Sequence, residues 1–354
     1  MNEVNLNIDE LQDFVGHIIT NNRHLQTQGK KPVAIEVVGE SGIGKTTSIM
    51  DMTAKHGLDF VKLNLAQIEE LGDLVGFPIK QFQMWTEKEG KKIGKWVDEV
   101  AVDAQHKLGF QTTGKSRMSY CAPEWIADKK AGGVLLLDDW NRADMRFIQA
   151  CMELVDRQTY ISWTLPKDWH IILTANPDNG DYMVNSTDPA QKTRYITANL
   201  KFDINVWARW AEENNMDTRC INFLLMHPEL VTQETNARSI STFFNSISSI
   251  PKFEDQLPLV QMIGEGSVGN EFASMFTTFI NNKLDKLVTP RELVTGPDEV
   301  LLELRECIGK DEAYRADIAS LLATRVANFA VAFSKTDSVT AKVQDRLVKL
   351  CTLD

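Results

Sequence analysis

Apolar residues gather in short runs through the first two hundred positions and in helical stripes after that. Val33-Ala34-Ile35-Glu36-Val37-Val38 is β-branched and apolar, the composition of a strand buried in a parallel sheet. Residues 8–28 predict a helix ahead of it, with Gly29 and Pro32 leading into the strand. After it, residues 46–55 place Ile49, Met50 and Ala54 on one helical face, and Gly57 is a stop signal. Further strands are predicted at Phe60–Asn64, at Gly132–Leu137, at His170–Thr174 and at Tyr195–Leu200. Between them lie a helix from Met145 to Val155 and a hairpin from Thr159 to Trp169 that turns near Pro166. Residues 79–120 are the least regular part and read as an insertion. The remainder is helical. Its clearest stripe is Phe272, Met275, Phe276, Phe279 and Ile280, read as core, and Thr289-Pro290-Arg291-Glu292 reads as a capping box.

The turn between the first strand and its helix carries the first chemistry. It reads Gly39-Glu40-Ser41-Gly42-Ile43-Gly44-Lys45-Thr46, with Thr47 beside it, and matches the phosphate-binding pattern G-x-x-x-x-G-K-[ST]. Glycines let backbone N–H groups close around phosphate oxygens, and the helix N-terminus adds positive potential. Lys45 is placed to reach the β- and γ-phosphates of ATP, and the Thr46 hydroxyl to ligate Mg²⁺. The strand at 132–137 runs into Asp138 and Asp139, and a carboxylate at the C-terminal end of a parallel strand faces the crevice where ligands bind. Asp138 is expected to hold Mg²⁺ and Asp139 to stand beside the attacking water. Asn176 follows the strand at 170–174 and reaches the same sheet edge.

Composition narrows the class without adding chemistry. The chain of 354 residues has the apolar and charged fractions of a globular protein, and its length suggests about two domains. No run approaches the roughly 18 apolar residues of a membrane span, and the N-terminus has no signal-peptide pattern. Five scattered cysteines (Cys121, Cys151, Cys220, Cys307, Cys351) predict buried free thiols and a cytoplasmic location. The net charge of −11 argues against a broad nucleic-acid footprint.

The order of these parts resembles an AAA+ ATPase, and within that class the MoxR-like, dynein-related (helix-2-insert) branch. The likeness is carried by Leu63-Asn64-Leu65 with Asp73-Leu74-Val75-Gly76, by Ala122-Pro123-Glu124-Trp125-Ile126, and by Asp138-Asp139-Trp140-Asn141-Arg142-Ala143. Thr174-Ala175-Asn176-Pro177, Asp188-Pro189-Ala190-Gln191-Lys192-Thr193-Arg194-Tyr195 and Asn236-Ala237-Arg238-Ser239 extend it. It covers roughly residues 30–250. The resemblance implies a P-loop NTPase of three-layer α/β/α architecture with a parallel sheet, over residues 1–202 with the insertion at about 79–120. An all-α lid and helical extension would occupy 203–354. It implies that Asn176 orients the attacking water, that Arg194 reaches into a neighbouring subunit's site, that Arg238 contacts the γ-phosphate, and that Asn64 couples ligand state to the catalytic carboxylate. It further implies a homo-oligomeric ring, hexameric in this class, that remodels a protein client, with a von Willebrand factor A domain protein as a partner. Two departures stand out: Asp139 replaces the usual Glu, withdrawing the carboxylate by about one C–C bond, ~1.5 Å, and Ala237 replaces a common Pro. Slow turnover, or an ATP-gated scaffold, is therefore a rival reading. A nucleic-acid motor is another, motivated by the lysines and arginine between 88 and 117 with Trp85 and Trp96 among them.

Overall fold

The computed structural model describes residues 4–88, 90–130, 132–186, 188–281, 290–309, 314–336 and 340–351. They form two compact units. One comprises residues 10–39 and 45–200 with the N-terminal residues; the other is residues 201–354, with which the short segments 7–9 and 40–44 group.

In chain order the strands are β1 (Asn5–Leu6), β2 (Ala34–Val38), β3 (Asp59–Asn64), β4 (Pro78–Lys88), β5 (Lys91–Asp98), β6 (Gln111–Tyr120), β7 (Gly133–Asp138), β8 (Thr159–Tyr160), β9 (Trp163–Thr164), β10 (Trp169–Ala175) and β11 (Tyr195–Leu200). The helices of the first unit are α1 (Ile8–Thr27), α2 (Lys45–Lys55), α3 (Leu71–Val75), α4 (Val102–Lys107), α5 (Glu124–Ala127), α6 (Met145–Arg157) and α7 (Pro189–Lys192). Six strands make one parallel sheet in the order β1-β11-β2-β10-β7-β3. Every residue of β7 and β10 is buried, which explains their unbroken apolar runs: helices cover both faces. On one face Leu135, Leu137, Ile171 and Leu173 pack with Phe147, Ile148 and Cys151 of α6. On the other, His170 meets Asn22 of α1 at 3.4 Å, and α2 packs over β3 and β7. The three-layer α/β architecture expected from the sequence is present, with one extra strand: β1 extends the sheet edge by pairing with β11.

Two expectations are corrected. The insertion is not irregular: β4, β5 and β6 form an antiparallel sheet in the order β5-β4-β6. Its alternation was hard to see because β5 is exposed at its first five positions, so neither face is uniformly apolar there. The hairpin turns at Ile161-Ser162 and not near Pro166, because Thr159 pairs with Thr164 and Tyr160 with Trp163. Ile161 accepts a left-handed φ of 44° to make that turn, and the Ser162 hydroxyl fastens it by accepting from Tyr120 N (2.6 Å) and donating to Tyr120 O (3.1 Å).

The second unit is helical: α8 (Ile204–Glu213), α9 (Thr218–Met226), α10 (Ala237–Ile247), α11 (Leu257–Val268), α12 (Asn270–Asn281), α13 (Pro290–Thr295), α14 (Val300–Ile308), α15 (Ala316–Thr336) and α16 (Ala341–Cys351). Asp203, Asp217 and Asn236 start α8, α9 and α10 by accepting backbone N–H bonds. The stripe on α12 is core as read: Phe272, Phe276 and Phe279 ring Phe223 at 5.1–5.4 Å between centroids. Arg325 of α15 is buried against Asn222 Oδ1 (2.7 Å) and Glu212 Oε1 (3.3 Å), tying α15 to α8 and α9. The capping residue Thr289 lies outside the described residues.

Candidate functional site

The loop Gly39–Gly44 leaves β2 and enters α2 at Lys45. Gly42 and Gly44 have φ of 76° and 97°, values that side chains other than glycine rarely adopt, so the sequence spends its glycines where the backbone needs them. Gly39 N–H donates to Ala175 O (3.1 Å), which fixes the start of the loop to the end of β10.

Five candidates named from the sequence converge on that edge. Lys45 is buried, and its ammonium donates to Gly39 O (2.5 Å) and Asn176 Oδ1 (3.1 Å). Asn176 Nδ2 donates to Asp139 Oδ1 (3.2 Å). Because an ammonium only donates and a carboxylate only accepts, these partners fix which way the Asn176 amide points. Thr46 Oγ1 donates to Asp138 Oδ1 (3.0 Å). A chain of contacts thus runs from the loop lysine through Asn176 to Asp139, and a second from Thr46 to Asp138. The neighbours β7, β10 and β2 deliver all of these from one sheet edge. The fold is thus a parallel α/β sheet with the phosphate-loop pattern at the C-terminal ends of its strands.

No protein-family model matches the chain, and neither does any curated protein. Among solved structures, the chain is similar to a point variant of RuvB from Thermotoga maritima, at 12% identity and a TM-score of 0.39, over 97% of this chain and 90% of that one. It is also similar to a putative ATPase from Cytophaga hutchinsonii, at 14% identity and a TM-score of 0.32, over 95% of this chain and 78% of that one. A likeness this distant decides nothing about the site, whose chemistry rests on its own residues.

Three residues complete the site without having been singled out for it. Thr174, fully buried, donates to Asp138 Oδ1 (2.5 Å) and accepts from Asp139 N–H (3.1 Å). It was readable as a polar residue near the C-terminal end of an otherwise apolar buried strand. Asn141 exchanges two bonds with the backbone of residue 176: its Nδ2 donates to Asn176 O (2.8 Å), and its Oδ1 accepts from Asn176 N–H (3.2 Å). Lys62 Nζ lies 2.8 Å from Asp138 Oδ2. Burial pushes the Asp138 carboxyl up, but the Lys62, Thr174 and Thr46 bonds outweigh it and hold the group below its ordinary value. Asp138 is therefore ionised at neutral pH. An ionised carboxylate beside a threonine hydroxyl is a hard-oxygen donor set of the kind Mg²⁺ takes, so these residues fit that ion. The Asp139 backbone is itself unusual, with φ 51° and ψ 36°.

Asn64 pairs across from Asp138 in the β3–β7 register, and its side chain caps the turn after β3 by accepting from Ala66 N–H (3.2 Å). Arg194 is exposed and lines an open cleft with Met145, Met152, Glu153, Asp156 and Asp188; no residue of the phosphate loop lines it. Arg238 is exposed in the first turn of α10, where Asn236 Oδ1 accepts from Arg238 N–H (3.1 Å), and it lies beside the phosphate-loop segment 40–44 that groups with this helical unit: a Cβ on Gly42 would stand 3.1 Å from Arg238 Cβ.

In the insertion, Trp85 and Trp96 share one sheet face, each stacked with a cation: Lys92 over Trp85 (4.8 Å) and Arg117 over Trp96 (4.4 Å). The same face carries Glu87, paired across from Lys92, and Asp98, which accepts from Gln81 (2.8 Å).

Of the thiols, Cys151 and Cys220 are buried as expected, and burial pushes Cys151 up to about 12. Cys121 is exposed, which corrects the reading of it as buried. The side chains of Cys307 and Cys351 lie outside the description. Among the described residues no three His, Cys, Asp or Glu side chains group as a metal cluster, and no helix is long and apolar enough to cross a membrane.

Proposed function

We propose that this chain is a Mg²⁺-dependent ATPase of the AAA+ kind. The observation that carries the reading is the paired contact of Lys45 with Asn176 and of Thr46 with Asp138. Residues far apart in sequence meet where a triphosphate on the 39–46 loop would need a cation, a metal-holding carboxylate and a water-positioning amide. In this reading backbone N–H groups of the loop cradle the phosphates, and Lys45 exchanges its contacts with Gly39 O and Asn176 for phosphate oxygens. Bound Mg²⁺ would supply charge neutralisation to the phosphates. Asp138 and Thr46 hold it, and Asn176, oriented by Asn141, places the attacking water with Asp139. Arg194 acts in trans from a neighbouring copy in a hexameric ring, Arg238 meets the γ-phosphate from the helical unit, and Asn64 reports ligand state to the catalytic carboxylate. The work done is remodelling of a protein client, with a von Willebrand factor A domain protein as the expected partner, in the cytoplasm.

The test is phosphate release from purified protein with Mg-ATP, alone and with candidate protein clients. Lys45→Ala is expected to abolish tight nucleotide binding, and Asp138→Asn to abolish Mg²⁺-dependent turnover. Arg194→Ala is expected to leave binding near normal and suppress turnover in the assembly, with rescue by mixed wild-type subunits. Tight Mg-ATP binding by the Lys45→Ala protein would sink the assignment of the loop. Stimulation by DNA but by no protein would sink the client class.

A further inference from the structure

Glu36 sits in the middle of β2, between Ile35 and Val37, with 4% of its surface exposed. A carboxyl in the central strand of a parallel sheet is costly unless its oxygens are bonded. Both are. Trp140 Nε1 donates to Oε1 (3.0 Å), and Thr197 Oγ1 donates to Oε2 (2.9 Å). Register puts Thr197 directly beside Glu36 on β11, so the second bond crosses one strand gap. The first reaches out of the sheet to the residue after Asp139. The indole also packs edge-on against Tyr195, with centroids 5.8 Å apart and planes at 76°, and Tyr195 is the residue after Arg194.

One buried carboxyl therefore holds three things at once. It belongs to the strand that delivers the phosphate loop, three residues before Gly39. It fixes Trp140, whose backbone directly follows the left-handed Asp139. It fixes β11, which begins where the segment carrying Arg194 ends. We propose that Glu36 is a positioning residue for hydrolysis: it locks the Asp139 turn and the Arg194-bearing end of β11 to the strand feeding the phosphate loop. A purely structural residue at this point of the sheet would be valine or isoleucine, as at its neighbours. Burial pushes the Glu36 carboxyl above its ordinary value, against the pull of the two bonds. The protonated acid still accepts from Trp140, and a glutamine keeps that acceptor while offering its amide to Thr197.

The proposal rests on the ATPase reading, and its test separates the two. Glu36→Val, Glu36→Gln and Thr197→Val are compared with wild type for fluorescent ATP-analogue affinity, for turnover, and for the Trp140 indole ¹⁵N–H resonance with and without Mg-nucleotide. Glu36→Val is expected to keep nucleotide affinity within about threefold while turnover falls at least tenfold, the scale of losses from modest misplacement of a reacting group. Glu36→Gln is expected to restore most of the turnover, and Thr197→Val to give an intermediate loss. In wild type and Glu36→Gln the Trp140 resonance is expected to move on nucleotide addition, and in Glu36→Val not to. Unchanged turnover in Glu36→Val overturns the role, as does a parallel loss of affinity and turnover or a Gln variant as poor as Val. Should Glu36→Val not fold, Thr197→Val and Trp140→Phe, each removing one bond, decide by the same split. A wild type that binds nucleotide without turning it over refutes the ATPase reading instead, and the resonance comparison then still decides whether Glu36 couples nucleotide to the Asp139 turn.

Discussion

Replacing Thr174 by Val removes one hydroxyl and changes almost no volume, so it isolates a single polar joint of the site. In the structure that hydroxyl makes two bonds, a 2.5 Å donation to Asp138 Oδ1 and a 3.1 Å acceptance from Asp139 N–H. Thr174 is fully buried, so water does not take over either role. Losing a hydrogen bond to a charged group costs about 1.5–3 kcal/mol, and leaving a buried N–H unpaired costs about 1–3 kcal/mol. The two share a donor-acceptor relay and do not add fully, so the expected loss is about 3 kcal/mol, with roughly 2 kcal/mol as a floor. Urea unfolding followed by tryptophan emission is the assay. Six of the eight tryptophans lie in the α/β unit, at 85, 96, 125, 140, 163 and 169, so the signal reports mainly on that unit. With a slope near 2 kcal/mol per molar urea, the midpoint should fall by about 1.5 M. Thr174→Ser keeps the hydroxyl and loses only a methyl, and should fall by about 1 kcal/mol or less. Turnover should follow the hydroxyl, lost in Val and largely kept in Ser. A Val midpoint within about 0.5 M of wild type, or a Ser variant as damaged as Val, would refute the relay.

Three further outcomes are expected. The Glu36 carboxyl is raised in the folded state, so its contribution to stability is fully present below its unfolded value of about 4.3 and is lost as pH rises through the folded value; melting temperatures should show wild type losing ground to Glu36→Gln as pH rises from about 4.5, and a constant difference would contradict the shift. Gly76 has φ 85°, and a Cβ there would lie 1.7 Å from Cys121 O, so Gly76→Ala should cost more than about 4 kcal/mol or prevent folding, as read by soluble yield and urea midpoint. Of Cys121, Cys151 and Cys220, only the exposed Cys121 should react with a thiol reagent in the native state, as located by peptide mass mapping; rapid labelling of Cys151 would show that its helix opens.

The parts that were legible in the sequence are those where one residue type answers one backbone need. Gly42 and Gly44 announce their loop because only glycine tolerates those φ values, and the apolar runs of β7 and β10 announce burial on both faces. Asp138 and Asn176 were legible because a polar residue ending such a run has few places to point. What stayed hidden is pairing across distance. Glu36 read as a blemish in an apolar strand until Trp140 and Thr197 were seen to face it. Lys62 alternates outward in β3 like any surface lysine, and only the register of β3 beside β7 puts it against Asp138. The insertion misled for the opposite reason: its sheet is thin and solvated, so Lys91, Lys92 and Lys95 interrupt the alternation that marks half-buried strands.

The insertion has one more property. Its first residue, Pro78, pairs with its last, Tyr120, and Cys121 N–H donates to Phe77 O at 3.0 Å. The chain leaves the main unit and rejoins it through a single doorway. The three-stranded sheet is in effect a graft: it could be exchanged for another module, or trimmed to a tight turn, without cutting a strand of the parallel sheet. Its sequence could change independently of the residues around Asp138.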